Sequence, residues 1–158
     1  MKKFKIYLDT SFISHLKHED SPDKMRDTLR LWEDIKKQKY EVFISQLTFD
    51  EIYRCYQPKQ DILLQHINDI EVTEIKITDE IENLAQIIIE TGILKPNDFD
   101  DALHIAFAVV GNCDYIVSWN FKHMVNVNTN RCIHSITINQ GYKTIGLIPP
   151  TMLLEEEE

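Results

Sequence analysis

Apolar and polar positions along the chain follow two alternating rhythms. Residues 4–8, FKIYL, lack clean alternation, as in a central strand covered on both faces, and the run stops on Asp9. Phe12, Ile13 and Leu16 then fit a short helix over residues 10–17. Ser21-Pro22 marks the next helix start, a cap with proline at the first helical position. Met25, Leu29 and Trp32, with Leu31 and Ile35 beside them, carry that helix to about residue 37, where Lys36, Lys37 and Lys39 suit the negative end of its dipole.

The rhythm repeats. YEVFIS, residues 40–45, predicts a second strand, and Phe49, Ile52 and Tyr53 the helix after it. Pro58 interrupts, and Ile62, Leu63, Ile67 and Ile70 predict a helix over residues 59–70. Residues 72–77 read as a short strand, and Thr78 as the cap of a helix that ends at Gly92. Residues 99–110 predict a helix that is apolar almost all round from Ala102 onward and therefore buried. Residues 114–118 predict a strand and 120–126 a short helix. Beyond them, polar caps at residues 128–130 predict a helix, followed by a strand at 143–148. The acidic end, residues 155–158, reads as solvated and frayed.

Strands alternate with helices and no Asn-Gly hairpin signal interrupts them. The expectation is an α/β fold, a mostly parallel sheet with helices on both faces, in one domain over residues 1–158.

Composition narrows the function. Hydrophobic residues make up 43%, ordinary for a globular chain. No apolar run approaches the ~20 residues of a membrane span. The opening MKKFKIYLD has a signal peptide's lysines but too short an apolar stretch, so a cytoplasmic protein with no membrane partner is expected. Cys55, Cys113 and Cys132 are odd in number and form no CxxC, which points to reduced, buried or half-buried thiols. The net charge of −9 argues against coating nucleic acid by charge alone. With only four glycines there is no GxGxxG or GxxxxGK[ST] loop, which sets aside dinucleotide and P-loop chemistry.

The acids change the picture. In an open parallel sheet, function gathers at the carboxyl ends of the strands. Asp9 ends the first strand, Glu51 follows the second, Asp98, Asp100 and Asp101 open the buried helix, and Ser118 and Asn120 end the fourth strand. Clustered carboxylates repel unless a cation offsets them, and oxygen donors without a Cys or His cluster favour Mg²⁺ or Mn²⁺. Such ions activate water and clamp phosphodiesters. Each residue also has a plainer role. Asp9 serves as a helix cap, Glu51 as a surface residue, and Asp98 and Asp100 as dipole partners. His104, the one polar side chain in ALHIAFAVV, reads as a satisfied core histidine before it reads as a partner of a metal-binding carboxylate. Trp119 and Phe121 read as core, and Lys122 and His123 as solvated, with phosphate contact as their functional alternative.

The stretches YLDTSFISHL, SQLTFDEI, DDALHIAFAV and YIVSWNFKHM, in this order across residues 6–124, resemble the PIN domain family. The resemblance implies a three-layer α/β/α sandwich and a Mg²⁺- or Mn²⁺-dependent ribonuclease. It also implies the toxin of a VapC-like toxin–antitoxin pair, often dimeric and inhibited by an antitoxin protein. By motif position Asp9, Glu51 and Asp101 match the family's acids and would hold the metal. Ser118, Asp98, His104 and Lys122 would support them. The family's usual fourth acid falls on Asn120, which brings an oxygen but no charge. Two classes therefore stand: a metal-dependent endoribonuclease acting on RNA through Asp9, Glu51, Asp101 and Asn120, and a non-catalytic PIN-like module for RNA or a protein partner. A phosphatase of the haloacid dehalogenase type also begins with a strand-end Asp, but it needs a second Asp two residues on, where this chain has Ser11.

Overall fold

The structure, a computed structural model, describes residues 2–155. Strands β1 (Lys5–Leu8), β2 (Glu41–Ser45), β3 (Thr73–Ile75), β4 (Tyr115–Val117) and β5 (Gly146–Ile148) form one sheet in the order β3-β2-β1-β4-β5, and every pairing is parallel. From β1 the chain moves outward through β2 and β3. It then returns to pair β4 with the other side of β1, placing Tyr7 beside Ile116 and Leu8 beside Val117. The order reverses between β1 and β4, and a crevice at the carboxyl ends of a parallel sheet opens at such a reversal.

Helices cover both faces. Side chains alternate along β1, so Ile6 and Leu8 enter one core and Tyr7 the other. The first core joins Val42, Ile44 and Val117 to α1 (Thr10–Ser14), α2 (Pro22–Lys36), α3 (Gln46–Tyr53) and α4 (Lys59–Asn68), through Phe12, Leu31, Trp32, Ile52 and Leu63. The second joins Ile116 and Leu147 to α5 (Asp79–Glu90), α6 (Phe99–Val110) and α7 (Val127–Gln140). The result is the expected three-layer α/β/α sandwich. Within α6, Ala102 and every residue from His104 to Val109 are buried, as the nearly continuous apolar run predicts. Each large apolar side chain fully buried in these layers contributes about 1.5–3 kcal/mol.

Local chemistry sets the helix ends. Thr78 accepts a hydrogen bond from Ile81 N at 3.2 Å and caps α5. Pro22 starts α2 as expected, but the Ser21 side chain makes no capping bond. Gly141 closes α7 in the left-handed conformation, φ 77°. All three cysteines are free, with Cys113 buried and the others half-buried.

Two sequence expectations give way. Residues 120–126 form turns, not a helix. There the Asn120 Oδ1 accepts from His123 N at 3.0 Å, and Asn126 Nδ2 donates to the carbonyls of Phe121 and Lys122. Side-chain amides thus satisfy backbone groups that a helix would have paired. The cap of α7 is Asn126, which accepts from Thr129 N at 2.8 Å, and not residues 128–130. Asn130 instead exchanges two bonds with the Leu147 backbone, at 2.9 and 3.0 Å, and ties α7 to β5. Of the acidic tail, residues 156–158 lie outside the described residues.

Candidate active site

The end of β1 turns directly into α1, and Asp9 occupies the joint. Its Oδ1 accepts from Phe12 N at 3.0 Å, so the plain capping role is real. The carboxylate does more than cap. Ser11 Oγ donates to Oδ1 at 2.8 Å, and Ser118 Oγ, from the end of β4, donates to Oδ2 at 2.6 Å. Asp9 is 3% exposed, and no cationic side chain among the described residues lies within ion-pair distance of it. Burial pushes its carboxyl above the ordinary range, against the field of His104 and the hydrogen bonds of Ser118, Phe12 and Ser11.

Ser11 and Ser118 also join the two strand ends. Ser11 Oγ accepts from Trp119 N at 3.0 Å, and Ser118 Oγ accepts from Asn120 N at 2.9 Å. The segment after β4 is thereby held against the segment after β1.

Glu51 projects from α3. Its Oε1 accepts from Thr10 Oγ1 at 3.1 Å and lies 2.6 Å from His104 Nε2. On its other side the His104 ring meets the Tyr7 hydroxyl, 2.7 Å from Nδ1, and that hydroxyl is 2.8 Å from Ser45 Oγ. Burial holds the Tyr7 phenol far above its usual value, so Tyr7 stays a neutral hydrogen-bond partner of Nδ1. Nε2–H then donates to Glu51, an assignment that follows from the network. Burial alone would raise the Glu51 carboxyl. The hydrogen bond and charge of His104, with Thr10 and Arg54, outweigh it and hold the group below its ordinary value. His104 is therefore both a satisfied core histidine, 2% exposed, and the anchor of a carboxylate.

Asp101, in the first turn of α6, is half-buried, and its Oδ2 lies 2.7 Å from His123 Nδ1. His123 Nε2 also approaches Asp98 at 3.7 Å. Asp98 makes no side-chain cap; its carboxylate faces His123 instead. Donor atoms of Asp98, Asp101 and His123 all lie within 4.8 Å of one another, the one such set among the described residues, and Asp9 and Glu51 stand outside it. Asn120 is half-buried with its amide oxygen engaged by His123 N, and Lys122 is exposed with no ion-pair partner among the described residues. Asp100 is exposed.

The sequence reading left Tyr7, Thr10, Ser11 and Ser45 without a part and placed His123 in solvent. Ser11, two residues beyond a strand-end Asp, carried the signal of a capping turn. Nothing local marks Tyr7, whose partners come from β2 and α6.

The donor set suits a hard divalent cation. Asp98, Asp101 and His123 offer two carboxylates and one nitrogen close together, and Asp9 and Glu51, outside that set, add further carboxylate oxygens.

Comparison with known proteins identifies the family and the fold. A family model described as the PIN domain matches residues 5–122, a span that includes Asp9, Glu51, Asp101, Ser118 and Asn120. The fold is similar to that of Mycobacterium tuberculosis VapC20, a Sarcin-Ricin loop cleaving toxin, with TM-score 0.59 and 17% identity over 75% of this chain and 92% of that one. It is also similar to VapBC2 from Rickettsia felis, solved bound to a DNA fragment from their promoter, with TM-score 0.56 and 13% identity over 92% and 98% of the two chains. No curated protein sequence matches the chain. A five-stranded parallel sheet with acids at its carboxyl edge, and a family match over most of its length, place the chain in the PIN domain family.

Proposed function

We propose that this protein is a Mg²⁺- or Mn²⁺-dependent endoribonuclease and the toxin of a toxin–antitoxin pair. The observation that carries the reading is Asp9: a carboxylate 3% exposed, fixed by two serines from different strand ends and without an ion-pair partner among the described residues. A buried anion of this kind needs a positive partner.

A bound divalent ion would supply a water of lowered pKa and charge opposite the leaving oxygen. Asp9, Glu51 and Asp101 would hold it, with Asp98 and His123 at the Asp101 side. The rest falls to the chain's own groups. Ser11 and Ser118 fix both oxygens of Asp9, and His104, backed by Tyr7, fixes Glu51. One carboxylate accepts the proton of the attacking water. Asn120, half-buried at the end of β4, orients water or a phosphate oxygen, while Ser118, fully buried, acts only through Asp9; Lys122, exposed two residues beyond Asn120, meets the RNA backbone.

The VapBC2 likeness supports an antitoxin partner; a homodimer, a cytoplasmic setting and one domain over residues 1–158 belong to the same proposal. Among the described residues no helix is long and apolar enough to cross a membrane.

One observation favours a second reading, the non-catalytic PIN-like module. Asn120 brings no charge at the fourth position, and Asp101 already has His123 as a hydrogen-bond partner. Incubation with structured and single-stranded RNA in Mg²⁺, Mn²⁺ or EDTA, beside Asp9→Asn, separates the two. Metal-dependent cutting that the variant loses supports the nuclease. Metal binding with no cutting of any RNA supports the module.

A further inference from the structure

Beyond the acidic pocket lies a strip of opposite character. After α1 the chain makes one 3₁₀ turn, His15–Lys17, and the His15 and His18 rings stack with centroids 4.6 Å apart. Lys59 Nζ, from the first residue of α4, comes within 3.3 Å of His18 Nδ1. On its other side His15 meets the Trp119 ring at 5.9 Å, and Trp119 meets Phe121 at 6.2 Å. Lys24 of α2 lies 5.6 Å from the centroids of both Trp119 and Phe121. Residues 15–24, Lys59 and residues 119–121, three stretches far apart in sequence, thus contribute to one basic and aromatic strip.

The strip is open to a ligand. Phe121 is 47% exposed, although its sequence context places it in the core. Neither Lys24 nor Lys59 has a carboxylate within ion-pair distance among the described residues. His15 is held below its ordinary pKa by burial, and the charges of His18, Lys24 and Lys59 add to the effect after its bond to Ser11 opposes it. His15, His18, Lys24 and Lys59 thus lie close enough to act on one another, within a chain of net charge −9. The strip also abuts the pocket: His15 Nδ1 lies 2.6 Å from Ser11 O, and Ser11 Oγ donates to Asp9.

We propose that this strip is an RNA subsite beside the acidic pocket. There an unpaired nucleotide next to the scissile phosphate stacks its base on Phe121 and sets a phosphate against Lys24, Lys59 and His18. The choice of RNA rests on the ribonuclease reading. The exposed ring beside lysines that have no carboxylate partner among the described residues favours a nucleotide over an acidic peptide, because it offers a π-face for a base as well as charge for a phosphate. Phe121 has no hydrogen-bonding group, and Trp119 Nε1 already donates to Thr28 Oγ1 at 2.8 Å. Recognition here is consequently tolerant of base identity.

The test uses the whole protein and a short labelled oligouridylate in EDTA, where metal-dependent cutting is absent, at several salt concentrations. Phe121→Ala should weaken binding roughly 5- to 100-fold. Lys24→Gln and Lys59→Gln should each lower the slope of log affinity against log salt by about 0.7. Thermal melts confirm that these variants fold. Three results overturn the proposal: no binding by the wild type, unchanged binding and salt slope in the variants, or displacement of the RNA by polyglutamate as readily as by unlabelled oligouridylate. The same protein with Mn²⁺ is then assayed for cleavage. Binding that Phe121→Ala weakens, without cleavage, refutes the nuclease and leaves the subsite standing.

Discussion

The His104 ring bridges two groups from opposite sides of the crevice, with Nδ1 2.7 Å from the Tyr7 hydroxyl and Nε2 2.6 Å from Glu51 Oε1. A buried imidazole held at both nitrogens cannot turn, and it passes its rigidity to the one carboxylate it touches.

His104→Ala should therefore strike twice. It leaves the Tyr7 hydroxyl short of a partner, at a cost of about 1–3 kcal/mol, and it releases Glu51, lowering Mn²⁺ affinity about 10- to 100-fold. Glu51 is held below its ordinary pKa when folded, so its stabilising effect is present at neutral pH and is lost as pH falls through the folded value. The variant should lose that acid-side dependence. Denaturation across pH and calorimetric Mn²⁺ titration read both effects, and a wild-type affinity would show that Glu51 needs no anchor.

Asp9 predicts the opposite sign. Burial raises its folded pKa, so the folded state holds a proton that the unfolded chain has released, and stability falls as pH rises through the folded value. Without metal, Asp9→Asn should melt higher than the wild type at pH 8, by about 2–4 °C for each ~1 kcal/mol relieved. The gain should vanish below the ordinary Asp pKa, where both proteins are neutral at this position. Lower melting of the variant at pH 8 would mean that the serine hydrogen bonds outweigh the burial.

Asn120→Asp restores a charge where the family usually has one. Its oxygen should still accept from His123 N, so the turn survives. Without metal the added anion should lower the melting temperature; with Mn²⁺ the deficit should close and cleavage at limiting metal should rise. Unchanged Mn²⁺ affinity would place position 120 outside the metal's reach.

His123 brings a nitrogen to an otherwise oxygen-donor set. Mn²⁺ accepts imidazole more readily than Mg²⁺ does, so the wild type should prefer Mn²⁺ and His123→Ala should narrow that preference. Competition titrations of the two ions give the ratio. An unaltered ratio would reduce His123 to a hydrogen-bond partner of Asp101.

Much of the fold was legible in the sequence because its signals are local. The apolar run of α6, the Thr78 cap and the alternation of strands with helices each lie within one short window. The segment 120–126 was misread because two asparagine side chains, Asn120 and Asn126, compete for its backbone, and propensity over a window does not register them. At the site, Asp9, Glu51 and Asp101 stand out at the ends of elements. Their partners do not. Tyr7 looks like any core residue of β1, and only the pairing of β1 with β2 and the packing of α6 bring Ser45 and His104 to its hydroxyl. His123 looked solvated because its partners, Asp98 and Asp101, lie on the far side of β4 in sequence.

The Trp119 indole, hydrogen-bonded to Thr28 on α2, also touches His15 and Phe121, while its backbone is tied to Ser11. The chain's other tryptophan, Trp32, is sealed in the core between Phe12 and His66. The molecule thus carries a built-in optical probe at the mouth of its crevice. A ligand that settles on Phe121 should perturb the emission of Trp119, 8% exposed and in contact with that ring, while Trp32 serves as the reference from the interior. Occupancy of the strip would then be read by fluorescence with no label attached.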